Sequence, residues 1–325
     1  DHVRCAVNPA TGFEYETVVS PAENPRKLLV VGGGPAGMEA ARIAAQRGHQ
    51  VRLAEQGRSL GGTAFFASVV YPENGRLVDY LKQQIAGSSV ELDLGVTVDE
   101  SYLDSFRPDA VIVATGARRD APDIPGVDQD NVFSGDEMRG LMTGHGAESA
   151  RSKLAFWQRW ALSLAGSLGI TRNAALLARL SHVWMPLGKQ VCIVGGGLVG
   201  AELAEFLALR GRKVSLIEES GKFAVELPLV RRWRLLEELK QLSVVMINHT
   251  RLLRVSGRQL AIDCQGSEVE IEADTVILAS GACGDLSLAE RAREMGYETH
   301  VAGDCDGVGY LEGAMRSAHQ VATAL

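Results

Sequence analysis

Two six-residue runs, Gly32-Gly33-Gly34-Pro35-Ala36-Gly37 and Gly195-Gly196-Gly197-Leu198-Val199-Gly200, are each followed by a glutamate 23 residues after the first glycine, Glu55 and Glu218. The chemistry open to such a set is the binding of a dinucleotide. Gly32 and Gly195 permit a tight turn, Gly34 and Gly197 let the backbone approach a pyrophosphate, and Gly37 and Gly200 let a helix pack closely on a strand. Pro35-Ala36 and Leu198-Val199 then open a helix whose free N–H groups and positive end face the phosphates. Glu55 and Glu218 can accept hydrogen bonds from a ribose diol. The two sets share one register with an offset of 163 residues, so they imply two bound nucleotides.

The surrounding residues supply the elements that this chemistry needs. Apolar, β-branched runs at Lys27 to Val31 and Gln190 to Val194 predict strands, and apolar residues at helical spacing over Met38 to Arg47 and Ala201 to Arg210 predict helices. A second strand follows each helix, at Gln50 to Ala54 and Lys213 to Ile217, and ends at the glutamate. Glu218 is followed by Glu219 with no arginine cluster, only Lys222 nearby. A carboxylate there accepts the 2′-hydroxyl of NADH and repels the 2′-phosphate of NADPH, so NADH is the preferred nicotinamide.

Both runs extend to Gly-x-Glu, at Gly37-Met38-Glu39 and Gly200-Ala201-Glu202, and here the chain resembles the two-dinucleotide flavoprotein reductases, which hold FAD in one domain and NAD(P)H in another. Other landmarks of that superfamily follow in order. Gly61-Gly62-Thr63 resembles its second flavin-contacting glycine pair. Ala114-Thr115-Gly116 and Ala279-Ser280-Gly281 each close an apolar strand and resemble domain crossings. Gly303-Asp304 resembles the late motif whose carboxylate contacts the flavin ribityl and pyrophosphate region; the competing reading of Asp304 is a helix cap. The resemblance thus implies Gly32, Gly34, Pro35, Ala36, Gly37, Glu55, Gln56, Gly62, Thr63, Val98, Ala114, Thr115, Gly116, Gly303 and Asp304 at FAD. At NADH it implies Gly195, Gly197, Leu198, Val199, Gly200, Glu202, Glu218 and Gly281. No side chain need act as acid or base, because hydride transfer belongs to the cofactors.

The implied fold is α/β, with two Rossmann-like dinucleotide-binding domains of three-layer ββα form and the NAD(P)H domain inserted in the FAD domain. The boundaries read as a leader at 1–24, an FAD (or ADP) domain at 25–125 and 285–325, and an NAD(P)H domain at 126–284 with a helical insertion at 139–188. Within that insertion Leu154 to Leu164 and Ala174 to Leu180 repeat at helical spacing, either packing on their own domain or offering a docking surface for a further domain or a second copy of the chain.

The leader Arg4-Cys5-Ala6-Val7-Asn8-Pro9 resembles the stretch that joins an iron–sulfur site to the FAD domain in the 2,4-dienoyl-CoA reductase, enoate reductase and trimethylamine dehydrogenase family. In that family a (β/α)₈ barrel bearing FMN comes first, and Cys5 matches the fourth ligand of a [4Fe-4S] cluster. Four thiolates are needed and three are absent here. The chain therefore reads as the C-terminal, electron-input half of a larger flavoenzyme, its partner the FMN barrel and iron–sulfur region of the same parent protein. Two alternatives are an ADP-holding structural module of an amine dehydrogenase and a free-standing NADH-dependent reductase feeding a ferredoxin-like or quinone acceptor.

Cys192, Cys264, Cys283 and Cys305 have neither Cys-x-x-Cys nor Cys-x4-Cys spacing, which removes the redox disulfide of thioredoxin-reductase or glutathione-reductase chemistry and suits a reducing cytoplasm. A net charge of −7 argues against nucleic acid or an anionic membrane as partner. No apolar run reaches the ~18 residues of a spanning helix.

Overall fold

The computed structural model describes residues 5–15, 17–119, 122–138, 152–153 and 174–325. The chain divides into two compact units, Asp1–Arg118 with Ala282–Leu325, and Arg119–Gly281. The first break falls just after Gly116 and the second directly after Gly281.

The first unit runs β1 (Lys27–Val31), α1 (Pro35–Gln46), β2 (Gln50–Glu55), α2 (Gly62–Val70), α3 (Glu73–Ala86), β3 (Glu91–Leu94), α4 (Glu100–Phe106) and β4 (Ala110–Val113). It is completed after the second unit by α8 (Ser287–Glu294), β13 (Glu298–Val301) and α9 (Tyr310–Ala324). Its strands form one parallel sheet in the order β13-β4-β1-β2-β3. Central strand β1 is apolar at consecutive positions because both of its faces are covered. Leu28 and Val30 pack with α1, α3 and α9, whereas Leu29 and Val31 pack with Leu103 and Phe106 of α4 and Ala289 and Ala292 of α8. Helices therefore cover both faces of this sheet.

The second unit contains β5 (Val132–Ser134), α5 (Ala174–Leu180), β6 (Gln190–Val194), α6 (Leu198–Ala208), β7 (Lys213–Ile217), α7 (Leu229–Gln241) and β8 (Val245–Ile247). A meander follows, β9 (Thr250–Ser256), β10 (Gln259–Cys264) and β11 (Ser267–Glu272), and then β12 (Thr275–Leu278). The parallel order β5-β12-β6-β7-β8 repeats that of the first unit. Here one face is covered by the meander, with Leu252, Val255, Leu260 and Ile262 packed against Cys192, Ile217 and Val276. The expected antiparallel layer thus belongs to the second unit, and the first substitutes α4 and α8. The expected helix at Ala174 to Leu180 is α5; the apolar run from Leu154 to Leu164 lies outside the described residues.

Helix α1 is tied to α9 by a buried polar cluster. Glu39 is fully buried, accepts from Arg42 Nε at 3.0 Å and Nη2 at 2.7 Å, and lies 3.2 Å from His319 Nδ1. Burial opposes its ionisation, yet the hydrogen bonds from His319 and Arg42 outweigh it and hold the carboxyl below its ordinary range. Removing one member of a buried ion cluster strands the others and costs about 3 kcal/mol or more. Glu39→Ala should therefore lower the melting temperature by several degrees in calorimetry. An unchanged value would show that Arg42 and His319 find other partners.

Candidate functional site

In the first unit, Gly32 turns the chain at φ +108°, and its N–H donates to Ala54 O at 2.8 Å. A Cβ on Gly32 would lie 2.4 Å from Ala114 O, and a Cβ on Gly37 would lie 1.8 Å from Gly32 O. Neither distance is compatible with any side chain, so the helix meets the strand end only because both residues are glycine. Pro35 takes the first position of α1, where its missing N–H costs nothing. The N–H groups of Ala36 and Gly37 lie in the first turn, beyond reach of any intrahelical carbonyl. Beside them, a Cβ on Gly34 would meet nothing within 4 Å. This is an open cradle of N–H donors at a positive helix end, and it fits a pyrophosphate.

Glu55 closes the cradle. Its Oε2 accepts from Gly33 N at 2.6 Å and its Oε1 from Gly57 N at 2.6 Å, across the exposed Gln56. A carboxylate offers about four acceptor sites, so capacity remains for a ribose diol. Gly61 N donates to Gly33 O at 2.8 Å, and a Cβ on Gly62 would lie 3.0 Å from Gly34 Cα, so the second glycine pair lies directly on the first loop. Thr63 is exposed in the first turn of α2. The late motif converges on the same place: a Cβ on Gly303 (φ +80°) would lie 2.7 Å from Ala36 Cβ, and Gly303 N donates to Ser317 Oγ at 2.8 Å. Asp304 Oδ1 accepts from Gly309 N at 2.9 Å, which braces the turn entering α9. Ala114 is buried beside Gly32, Thr115 is exposed, and Gly116 adopts φ +78°. Val98 is buried among Leu103, Phe106 and Val113, so only its backbone can reach a ligand.

The second unit repeats this construction. Gly195 has φ +107°, and a Cβ on Gly200 would again lie 1.8 Å from the oxygen of the first glycine. Glu218 Oε2 accepts from Gly196 N at 2.6 Å and Oε1 from Ser220 N at 2.8 Å. The register holds further than the sequence reading placed it. Leu60 covers Gly33 as Phe223 covers Gly196, and Ala224 N donates to Gly196 O at 2.7 Å just as Gly61 N does to Gly33 O. Each of these pairs is separated by the same 163 residues, a signal available in the sequence but hidden because leucine and phenylalanine, or glycine and alanine, do not look alike. Val199 is exposed and Gly281 adopts φ +82°.

The Gly-x-Glu positions diverge. Glu202 occupies the place of Glu39, but burial chiefly, with the charge of Glu205 beside it, pushes its carboxyl up to about 7. Glu205 in turn is hydrogen-bonded to Glu238, and it too is pushed up to about 7, chiefly by burial. Among the cysteines, Cys192 is driven up to about 12 by burial, and Cys305 is raised chiefly by burial, with its Sγ donating to Val113 O and Ala302 O. All five cysteines are free. Cys5 behaves differently: hydrogen bonds from the backbone of Asn8, first, and Val7, with the Thr11 side chain, hold its thiol below the ordinary range.

Residues 26–306 match the family described as pyridine nucleotide-disulphide oxidoreductase. The chain belongs to that family. It is 31% identical over 304 residues to bilirubin reductase of Mediterraneibacter gnavus, covering 93% of this chain and 41% of that protein. It is also 31% identical over 326 residues to NADH oxidase of Thermoanaerobacter brockii, covering 98% and 44%. Among solved structures, a 2-naphthoyl-CoA reductase complex superimposes with a TM-score of 0.80 at 25% identity, over 99% of this chain and 43% of that one. The chain thus spans less than half the length of these relatives, and it matches the FAD/NAD(P)-binding half of the larger reductase family that its leader resembles. As a member of the pyridine nucleotide-disulphide oxidoreductases it is an FAD-dependent NAD(P)H oxidoreductase. No helix among the described residues is long and apolar enough to cross a membrane.

Glu202 yields a pH test. An unfolded glutamate ionises near 4.5 while the folded one keeps its proton to about 7, so this group's contribution to stability falls as pH rises through that window, by up to about 3 kcal/mol, and is flat above it. Glu202→Gln should raise the melting temperature above pH 7 and leave it unchanged below pH 4.5. Equal effects at both ends would mean that burial does not disfavour the charge.

Proposed function

We propose that this chain is the electron-input module of a larger flavoenzyme, passing hydride from NADH to FAD and onward through a [4Fe-4S] cluster to a barrel FMN that reduces an enoyl- or dienoyl-type substrate. The observation that carries the assignment of the two nucleotides is the asymmetry between otherwise matched cradles. Gly303 packs on Ala36 of the first cradle, and the space beside Gly34 is open where Glu226 fills the space beside Gly197, which suits the longer contact surface of a flavin dinucleotide. The second lacks an arginine cluster after Glu218, which suits the unphosphorylated ribose of NADH.

FAD and a reduced nicotinamide, when bound, supply the hydride chemistry themselves. The chain's residues bind and orient. Ala36 and Gly37 present N–H groups to the FAD pyrophosphate, Glu55 holds the adenosine ribose, and Gly303 with Asp304 sets the start of α9 against the first loop. Leu198, Val199 and Gly200 do the same for NADH, with Glu218 on its ribose. Cys5 supplies one thiolate to the cluster, the other ligands coming from the barrel side of the parent protein. Hydrogen bonds that hold the Cys5 thiol toward its thiolate form are what a ligand cysteine requires. The parent protein works without a membrane or nucleic acid, in the cytoplasm.

The purified chain should be yellow and should bleach on anaerobic addition of NADH. A colourless protein carrying ADP would assign it instead to the nucleotide-holding scaffold. Within the working reading, Glu218→Ala should cut kcat/KM for NADH by roughly tenfold or more while sparing NADPH, since a hydrogen bond to a charged acceptor is worth about 1.5 to 3 kcal/mol. An unchanged NADH/NADPH ratio would show that another residue reads the ribose.

A further inference from the structure

The internal repeat ends in a difference that bears on the second nucleotide site. After Leu60/Phe223 and Gly61/Ala224, the same offset aligns Gly62 with Val225 and Thr63 with Glu226. In the first unit this position is a neutral hydroxyl. In the second it is a carboxylate, and the carboxylate is already seated on the glycine loop: Glu226 Oε2 accepts from Leu198 N at 3.1 Å, and Oε1 would lie 2.8 Å from a Cβ on Gly197. The corresponding first-unit space, beside Gly34, is open to at least 4 Å. The donor itself is also particular to the second unit, because Leu198 has an N–H where Pro35 has none.

We infer that Glu226 is an internal competitor for the pyrophosphate at the second fingerprint, a carboxylate that must leave the N-terminus of α6 before a nicotinamide dinucleotide can occupy it. The inference rests on the proposed NADH site. An anion at a helix N-terminus is favoured by the helix dipole and the unsatisfied N–H groups, and the dinucleotide phosphates need the same groups. Glu226 therefore acts twice, occupying a donor and repelling the incoming charge.

The segment is built for such a displacement. Ala224 is fully buried, adopts φ +47° and bonds Gly196 O, while Arg232 Nε donates to Phe223 O at 2.7 Å, so the near end is fixed. Beyond it, Val225 is 55% exposed and Leu229 and Val230 are each 79% exposed. Glu226 is itself exposed and belongs to no core cluster among the described residues. Glu226 is thus a residue that sets affinity, with no part in the hydride step.

The test uses Glu226→Thr, which transplants the first-unit residue, with Glu226→Gln, and measures binding of ADP-ribose and NADH by calorimetry on the FAD-loaded protein. Glu219→Gln removes one neighbouring charge without touching the helix end. Both Glu226 variants should bind ADP-ribose about three- to tenfold tighter, the effect of one charge at a helix end, and Glu219→Gln should stay within about twofold of wild type. If wild type binds ADP-ribose and the Glu226 variants bind no tighter, the competition does not exist. An equal gain from Glu219→Gln would make the effect one of general charge and overturn the specific seat. If no folded variant, wild type included, binds ADP-ribose or NADH, the NADH assignment itself fails and the inference falls with it.

Discussion

One contact governs the architecture of both units: the approach of the third fingerprint glycine to the carbonyl of the first, where a single methyl would sit 1.8 Å from oxygen. That spacing brings a helix N-terminus directly onto a strand end, so the first-turn N–H groups of α1 and α6 open at the carboxyl edge of each parallel sheet. The rest follows from it. Once the helix is so placed, the second strand must end beside the loop, and its terminal glutamate is near enough to accept from the second glycine's N–H at 2.6 Å in both units.

What differs between the units is what each does with this common frame. The first buries Glu39 against Arg42 and His319 and keeps it ionised, locking α1 to α9. The second leaves Glu202 beside Glu205, where burial makes it hard to ionise. The first leaves the space over its phosphate loop open, and the second fills it with its own carboxylate. The covering layers diverge too, helices over the first sheet and a three-stranded meander over the second. A backbone constraint enforced by glycine is thus inherited intact, while the side chains around it have been free to change charge.

Much of this was legible in advance. Glycine spacing and the alternation of β-branched and helical runs are local properties, and they located β1, α1, β2, β6, α6 and β7 to within a few residues. Glu55 and Glu218 were legible because their distance from the glycines is set by the length of one helix and one strand. Val98 carries no such local signal, since an apolar residue reads alike whether it lines a ligand or a core, and its side chain lies in the core. Asp304 accepts from Gly309 N and so braces the turn into α9, a contact that sequence adjacency does not announce. Glu226 was invisible, because an acid in a polar loop has no sequence signature.

By itself, then, the sequence determined the doubled frame: two cradles, their glycines, their acids and their order, all features written within about thirty residues where chain geometry leaves little freedom. Only the tertiary structure decided which charges meet. It brought Gly303 onto Ala36, across most of the chain's length, and His319 onto Glu39. It also seated Glu226 on Leu198 N, although 28 residues separate them. Such contacts depend on how sheets and helices stack, and electrostatic energy depends on distance and burial. Neither quantity exists until the chain has folded.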